Sequence, residues 1–423
     1  MPLDRNVNIT SAEFKANPYP FYARLRAEAP VYQVKLPNNI WVKQPAWLIT
    51  RYDDVALVLK DPRFAKDKRN ALTPEQMGRL PWMPSMFKPL ERNMLDQDDP
   101  DHKRLRTLVH QAFTPRLIEQ MQARIQTLAD ELLDSVQNQG GMDLIRDYAL
   151  LIPTTIIAEM LGVPVADRRK FSRWSNTAIS ATASKLGVVA MIPSVMAQMR
   201  YIRKLIKARR AQPQDDLISA LVQAEEAGDQ LSEDELVGMV FLLLLAGHET
   251  TVNLIGNGTL ALLEHPDQMA KLRNDPTLIK SAVEELLRYG SPVETATERF
   301  AREDVTIAGV TIPRGSLVFA VIASANRDER QFANPDTLDI TREPNKHLAF
   351  GLGIHYCLGA PLARLEGQIA INTLLRRIPD MQLIGSPEAL RWRPGLMLRG
   401  LKALPVTFAA QRSPVHAELR AGQ

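Results

Sequence analysis

From Leu236 to Leu263 no proline interrupts the chain, and Val237, Met239, Val240, Phe241, Leu242, Leu243, Leu244 and Leu245 cover nearly every side of a helix. A helix apolar all round belongs in the middle of a large core. Ser232, followed three residues later by Glu235, reads as the capping box that starts it. The fold must therefore be assembled around one long buried helix. Into that helix the sequence inserts Ala246-Gly247-His248-Glu249-Thr250-Thr251. An acid and two hydroxyls in a buried helix are costly unless paired or used, and Gly247 weakens the helix and leaves room nearby. Two readings stand at this point. Thr250 bonds back to the carbonyl one turn earlier in a kinked helix, or the acid and the alcohol carry chemistry.

The chain has 423 residues, 45% of them hydrophobic, ample for a large core. No Gly/Ser linker, charge block or repeat divides it, and its 29 prolines are scattered as helix punctuation. One domain over residues 1–423 is expected, with 1–12 and about 413–423 as flexible tails. The N-terminus lacks an apolar signal region, and the run Val240 to Gly247 is too short to span a bilayer, so a cytoplasmic protein without a membrane anchor is expected. The net charge of +4 reads as a solvated surface with dispersed basic residues, which argues against nucleic acid. A basic patch for an acidic protein partner is the specific alternative.

Cys357 is the only cysteine, so an intrachain disulfide is excluded. It lies in Phe350-Gly351-Leu352-Gly353-Ile354-His355-Tyr356-Cys357-Leu358-Gly359. Gly351 and Gly353 permit positive φ and a tight turn beneath something bulky. Leu358, Leu362, Leu365, Ile369 and Leu374 then recur at helical spacing, with Pro361 tolerable in a first turn. At a helix N-terminus the dipole and free N–H groups favour thiolate. An inert buried thiol, a nucleophile and a metal ligand are the three candidate roles. A thiolate under a flat glycine loop suits an axial ligand of haem iron.

This segment resembles the haem-binding loop of the cytochrome P450 family at every characteristic position, and the likeness extends over most of the chain. The resemblance implies a mainly α fold with a small β-rich portion, enclosing haem b bound through Cys357, with Phe350, Gly351, His355 and Gly359 around it. Ala246 and Gly247 become part of an oxygen-binding groove, in which Thr250 hydrogen-bonds dioxygen and Glu249 relays protons. Ser281 to Tyr289 is amphipathic, with Glu285 and Arg288 on one face. The family likeness makes them a buried ion network with Arg342. His102 and Arg106, one helical turn apart, together with Arg299 and His355, are the implied partners of the haem propionates.

The activity so implied is hydroxylation or epoxidation of a hydrophobic small molecule such as a polyketide, macrolide, terpenoid or fatty acyl compound. Electrons come from a separate ferredoxin and its NAD(P)H-dependent reductase, since this length holds no redox module of its own. Lys346, His347 and Arg364 flank the loop as candidate docking residues. A peroxide-driven peroxygenase and a non-catalytic haem sensor are the alternative classes. A cysteine hydrolase lacks a persuasive base. The expected substrate lining is Leu80, Trp82, Met83, Met86, Phe87, Met239, Leu243, Val293 and Met397, with Met residues able to repack around apolar ligands. A monomer is expected.

The remaining expectations are local. Tyr19–Ala27 and Asp53–Lys60 read as helices, and Val31–Lys35 and Trp47–Arg51 as strands. Asn38–Pro45 reads as an extended hairpin and Arg79–Arg92 as a loop over the substrate. Val305–Ile312 reads as a hairpin and Leu317–Ala323 as a strand. Helical periodicity covers 115–136, 150–161, 194–210 and 265–289.

Overall fold

In the computed structural model the apolar run forms a single helix, Glu233–Glu264, closed at its start by the capping box. Ser232 Oγ accepts from the Glu235 N–H, and the Glu235 carboxylate accepts from the Ser232 N–H. The structure describes residues 7–35, 45–78, 80, 85–168, 170, 173–174, 185–226 and 228–410. By length and composition the central helix is apolar enough to cross a membrane, but 72% of its apolar window is buried inside the fold. Most of its apolar surface is already covered by protein.

Packed around it are Ala360–Arg377, Ile279–Gly290, Leu151–Met160, Lys185–Ala211 and the short helix Ser85–Glu91. The last of these approaches so closely that a Cβ at Gly238 would collide with the Pro89 carbonyl oxygen. Gly238, rather than Gly247, is where packing against neighbouring backbone demands a glycine in this helix. At Gly247 an added Cβ would meet only Ile157, at an ordinary 3.5 Å.

The β portion is less N-terminal than the sequence suggested. Its main sheet runs Val31–Val34, Ala46–Ile49, Leu317–Ala320, Arg299–Ala301, Phe64–Ala65. Ala46–Ile49 pairs parallel to Leu317–Ala320, with Ala46 opposite Leu317. A second sheet joins Gly141–Asp143, Pro405–Thr407 and Gln382–Leu383. The predicted hairpin forms from Val305–Ile307 and Val310–Ile312, turning at Ala308 (φ 47°) and Gly309 (φ 77°), as a two-residue primed turn requires.

The helical stretch expected over 265–289 is two helices, Pro266–Asn274 and Ile279–Gly290. Pro276 lacks the N–H to continue the first, and the Asp275 side chain accepts from the Thr277 N–H instead. Residues 7–12, expected within a tail, are held: Ile9 is buried and the Gly395 N–H donates to the Thr10 carbonyl. The Asn38–Pro45 hairpin and the C-terminal tail fall wholly or almost wholly outside the described residues.

A buried polar knot ties this N-terminal segment to the loops expected to line the substrate. Lys15 Nζ lies 2.7 Å from Glu294 Oε2 with both side chains fully buried, and Tyr22 Oη donates to Glu294 Oε1. The Glu294 N–H donates to the Met397 carbonyl at 2.7 Å, and Val293 bridges Leu398.

Candidate active site

The cysteine loop folds through two left-handed glycines, Gly351 (φ 70°) and Gly353 (φ 73°). At Gly353 a side chain would also press on the Leu59 carbonyl at 2.9 Å, so glycine is required there twice over. The Cys357 N–H donates to the Phe350 carbonyl at 2.9 Å, and Gly359 caps the helix Ala360–Arg377. Cys357 is half-buried. Burial pushes its thiol above the usual range, against the opposing pull of the Gly359 N–H, Arg106, Arg364 and the Ala360 N–H. The helix terminus alone therefore does not make the thiolate, contrary to the sequence expectation. A bound cation would supply the missing charge.

Above the loop, the four side chains expected to hold propionates converge. The His102 and His355 rings meet at a tilt of 57° with centroids 4.4 Å apart. Arg299 is buried, and burial pulls its guanidinium down to about 10. His355 is held down to about 2, first by burial and then by Arg299, His102, Lys66 and Arg106. Buried ring and guanidinium nitrogens here lack partners among the described residues: His102 Nε2, His355 Nε2 and Arg299 Nε. Arg106 does not pair with His102; its guanidinium donates to the Tyr356 carbonyl at 2.8 Å, beside Cys357. Lys66, which sequence reasoning missed, joins the cluster as a fully desolvated amine bonded to the Glu298 carbonyl at 2.9 Å. Crowding the cations Lys66, Arg106 and Arg299 around unpaired polar nitrogens in a buried place is unfavourable unless an anion is accommodated. The residues present fit a group carrying two carboxylates.

The central helix carries the remaining candidates. Leu245 and Ala246 are exposed in the middle of a mostly buried helix, so they face open space. Thr250 Oγ donates to the Ala246 carbonyl at 3.0 Å, the back-bonded geometry, and its oxygen keeps acceptor capacity. Glu249 is buried, and desolvation raises its carboxyl above the ordinary range. Its ion-pair partner is Arg393, whose guanidinium donates to Oε1 at 3.2 Å while staying about one-third exposed. His248 turns away and donates its Nδ1 proton to the Leu244 carbonyl at 2.8 Å, in the tautomer that bond requires.

Behind Thr251 sits a second acid, Glu366, fully buried and pushed up to about 8 by desolvation, with the Thr251 hydroxyl opposing that shift. It is protonated in the folded chain across a range where an unfolded glutamate is ionised. Folding therefore binds a proton between about pH 4.5 and about 8, and stability falls as pH rises through that window. Glu366→Gln is expected to match the parent below the window and to unfold at progressively higher denaturant as pH approaches 8. Parallel midpoint shifts at every pH would contradict this assignment.

Elsewhere the structure sorts the remaining candidates. Glu285 and Arg288 are both fully buried, with Nε–Oε2 at 2.7 Å. Arg342 Nε lies 3.2 Å from both Glu285 oxygens. Asp339 N–H and Asn345 Nδ2 complete the carboxylate's partners. Val293 bridges Leu398, the residue after Met397, and Met397, Met86, Phe87 and Leu243 keep exposed surface. Met239, expected in the pocket lining, is fully buried in the core, because its side of the helix packs on protein. Trp82 and Met83 lie outside the described residues. His347 and Arg364 are occupied internally by Glu284, at 3.0 and 2.7 Å. That pairing holds the Glu284 carboxyl down to about 2 against its own burial. Only Lys346 of the three docking candidates is exposed without an ion pair among the described residues.

Comparison with known proteins places this geometry in a family. The model of the family "Cytochrome P450" matches residues 7–378. The polyketide biosynthesis cytochrome P450 PksS of Bacillus subtilis (strain 168) is 46% identical over 398 residues, covering 94% of this chain and 97% of the relative. Its solved structure superposes with a TM-score of 0.88 at 45% identity, covering 95% of this chain and all of that one. The cytochrome P450 monooxygenase PikC of Streptomyces venezuelae is 46% identical over 404 residues, covering 95% and 93%. A structure of P450BioI with an acyl carrier protein ligated to hexadec-9Z-enoic acid matches with a TM-score of 0.83 at 43% identity, covering 94% and 99%. The chain belongs to the cytochrome P450 family, has its fold, and is a monooxygenase of that family.

Proposed function

We propose that this chain uses haem b, ligated by Cys357, and O2 to hydroxylate or epoxidise a hydrophobic compound of polyketide, macrolide or fatty-acyl type. It works as one monomeric, cytoplasmic domain, and electrons reach it from NAD(P)H through a ferredoxin and its reductase. The observation that carries the reading is the set of buried nitrogens on His102, His355 and Arg299 without partners among the described residues, gathered beside the Cys357 loop. When bound, the haem supplies oxygen activation, and the protein supplies binding, orientation and electrostatics.

The residues divide that work. His102, Arg299, His355 and Lys66 offer donors to the carboxylates, and Arg106 steadies the loop carbonyl beside the thiol. Glu249, raised in pKa by burial, holds a proton more readily than an exposed glutamate and can pass it inward. Arg393 opposes that rise and reaches solvent, so it links the buried acid to bulk water. Thr250 Oγ orients a hydrogen bond at the wall of the groove. Leu243, Val293 and Met397 offer apolar contacts that keep the substrate end dry.

The test compares turnover of a polyketide or fatty-acid panel with NADPH and surrogate redox partners against turnover with peroxide. It is run after checking for the red-shifted CO absorbance of ferrous haem bound to thiolate. Product only with peroxide would convert the reading to a peroxygenase. Absence of the thiolate signature would remove it.

A further inference from the structure

The modest net charge conceals an uneven distribution. From Arg168 to Gln214, 47 residues carry eleven Lys or Arg and no Asp or Glu, leaving 41 basic and 48 acidic residues elsewhere. The basic residues are therefore not evenly interleaved with acids, as the sequence had first suggested. Arg168 and Arg209 are taken by Glu159 and Asp216. Of the others, Arg200, Arg203, Lys204, Lys207 and Arg210 are held outward by the helix Lys185–Ala211. Val195, Met199, Ile202, Leu205 and Ile206 bury its inner face in the core with Val237, Val240 and Leu244 of the central helix.

On the outer face Arg200, Lys204 and Lys207, at helical spacing, are exposed and have no ion-pair partner among the described residues. Arg203 and Arg210 have only distant carboxylates, at 3.8–3.9 Å on Glu233 and Asp234. The neighbouring segment adds exposed Lys170, while Trp174 stacks near Tyr201 at 5.8 Å to hold the two elements together.

We propose that this basic face docks an acidic acyl carrier protein, which presents the substrate as a thioester on its flexible arm. The proposal rests on the acyl- or polyketide-type substrate class given above. Charge sign and place support this occupant. A surface so one-sided accelerates and orients encounter with an acidic partner. Arg203 and Arg210 approach Glu233, thirteen residues before Ala246 on the same helix. That is about 20 Å of helix, a gap for an extended arm rather than for direct contact. An electron donor needs the thiol loop, beyond the far end of that distance. A membrane is disfavoured because the exposed positions between 200 and 210 are Arg, Lys and one Ala, without the large apolar residues an interfacial helix buries. A related structure, that of P450BioI, contains such a carrier.

The experiment titrates the haem-loaded full chain with palmitoyl-loaded acyl carrier protein by calorimetry, at low and raised salt. The parent is compared with R200E/K204E/K207E and with the neutral R200Q/K204Q/K207Q. Thermal midpoint and haem spectrum check folding, and free palmitic acid checks the pocket. The expected result is salt-sensitive carrier binding by the parent, weakened at least about tenfold by charge reversal and less by neutralisation, with free palmitic acid affinity unchanged. Equal carrier affinity in all three proteins, or no complex with the parent at low salt, would overturn the proposal. So would phosphatidylglycerol vesicles that bind the parent and lose the variants while carrier binding persists. Calorimetry reads the surface whatever the haem does, so failure of the monooxygenase reading is seen separately in the CO spectrum.

Discussion

Glu285→Gln is expected to destabilise the folded chain by about 3–5 kcal/mol, the cost of leaving buried cations without their anion. The carboxylate is fully buried and receives five donors: two from Arg288, plus Arg342, the Asp339 N–H and Asn345. Glutamine keeps the shape, removes the charge and turns one acceptor into a donor facing guanidinium. Arg288 meanwhile satisfies the carbonyls of Asn326, Pro335 and Thr337, so the network fastens the helix Ile279–Gly290 to the segment leading into the cysteine loop. Arg288→Lys should rescue little, because an ammonium cannot reproduce the planar fork. The check is the denaturant midpoint at unchanged slope. A loss below about 1 kcal/mol, the level of an exposed pair, would show that the network is not the clamp described.

The second large effect is functional. Thr250→Ala should retain haem and fold while most reducing equivalents leave as hydrogen peroxide rather than product. Glu249→Gln should lower NADPH-supported turnover about 100-fold or more, the usual contribution of a positioned proton donor. Thr250 makes one hydrogen bond within its own helix, so its removal leaves packing nearly untouched. Glu249 is paired with Arg393, and glutamine can still accept that bond, which separates proton transfer from positioning. The measurement is product formed per NADPH consumed, with peroxide assayed in parallel and haem content as control. Full coupling in Thr250→Ala would move the catalytic hydroxyl elsewhere.

Much of this was legible from residues alone. Tyr19–Glu28, Pro115–Val136 and the central helix announce themselves by periodicity, proline placement and caps. The cysteine loop and the acid–alcohol insertion stand out because each violates the pattern around it. What stayed hidden was tertiary. Arg393 reaches Glu249 across 144 residues of sequence, and Lys66 is one lysine among many until the fold desolvates it. Glu366 sits in an ordinary helical position, and only burial against Thr251 changes its titration. The strands Gly141–Asp143 and Gln382–Leu383 are three and two residues long, too short to establish a period.

The parallel pairing of Ala46–Ile49 with Leu317–Ala320 has a temporal side. During synthesis the first hairpin emerges early, yet the strand that covers its open edge is made about 270 residues later. At about 5–20 residues per second that is roughly 15–55 s. Throughout that interval Ala46–Ile49 presents unpaired backbone, and the Phe350–Gly359 loop does not yet exist. The sheet, the ion network and the cofactor loop can each close only in the last part of translation. Late-acting chaperones and haem supply are then expected to limit the yield of folded enzyme more than the stability of any early helix does.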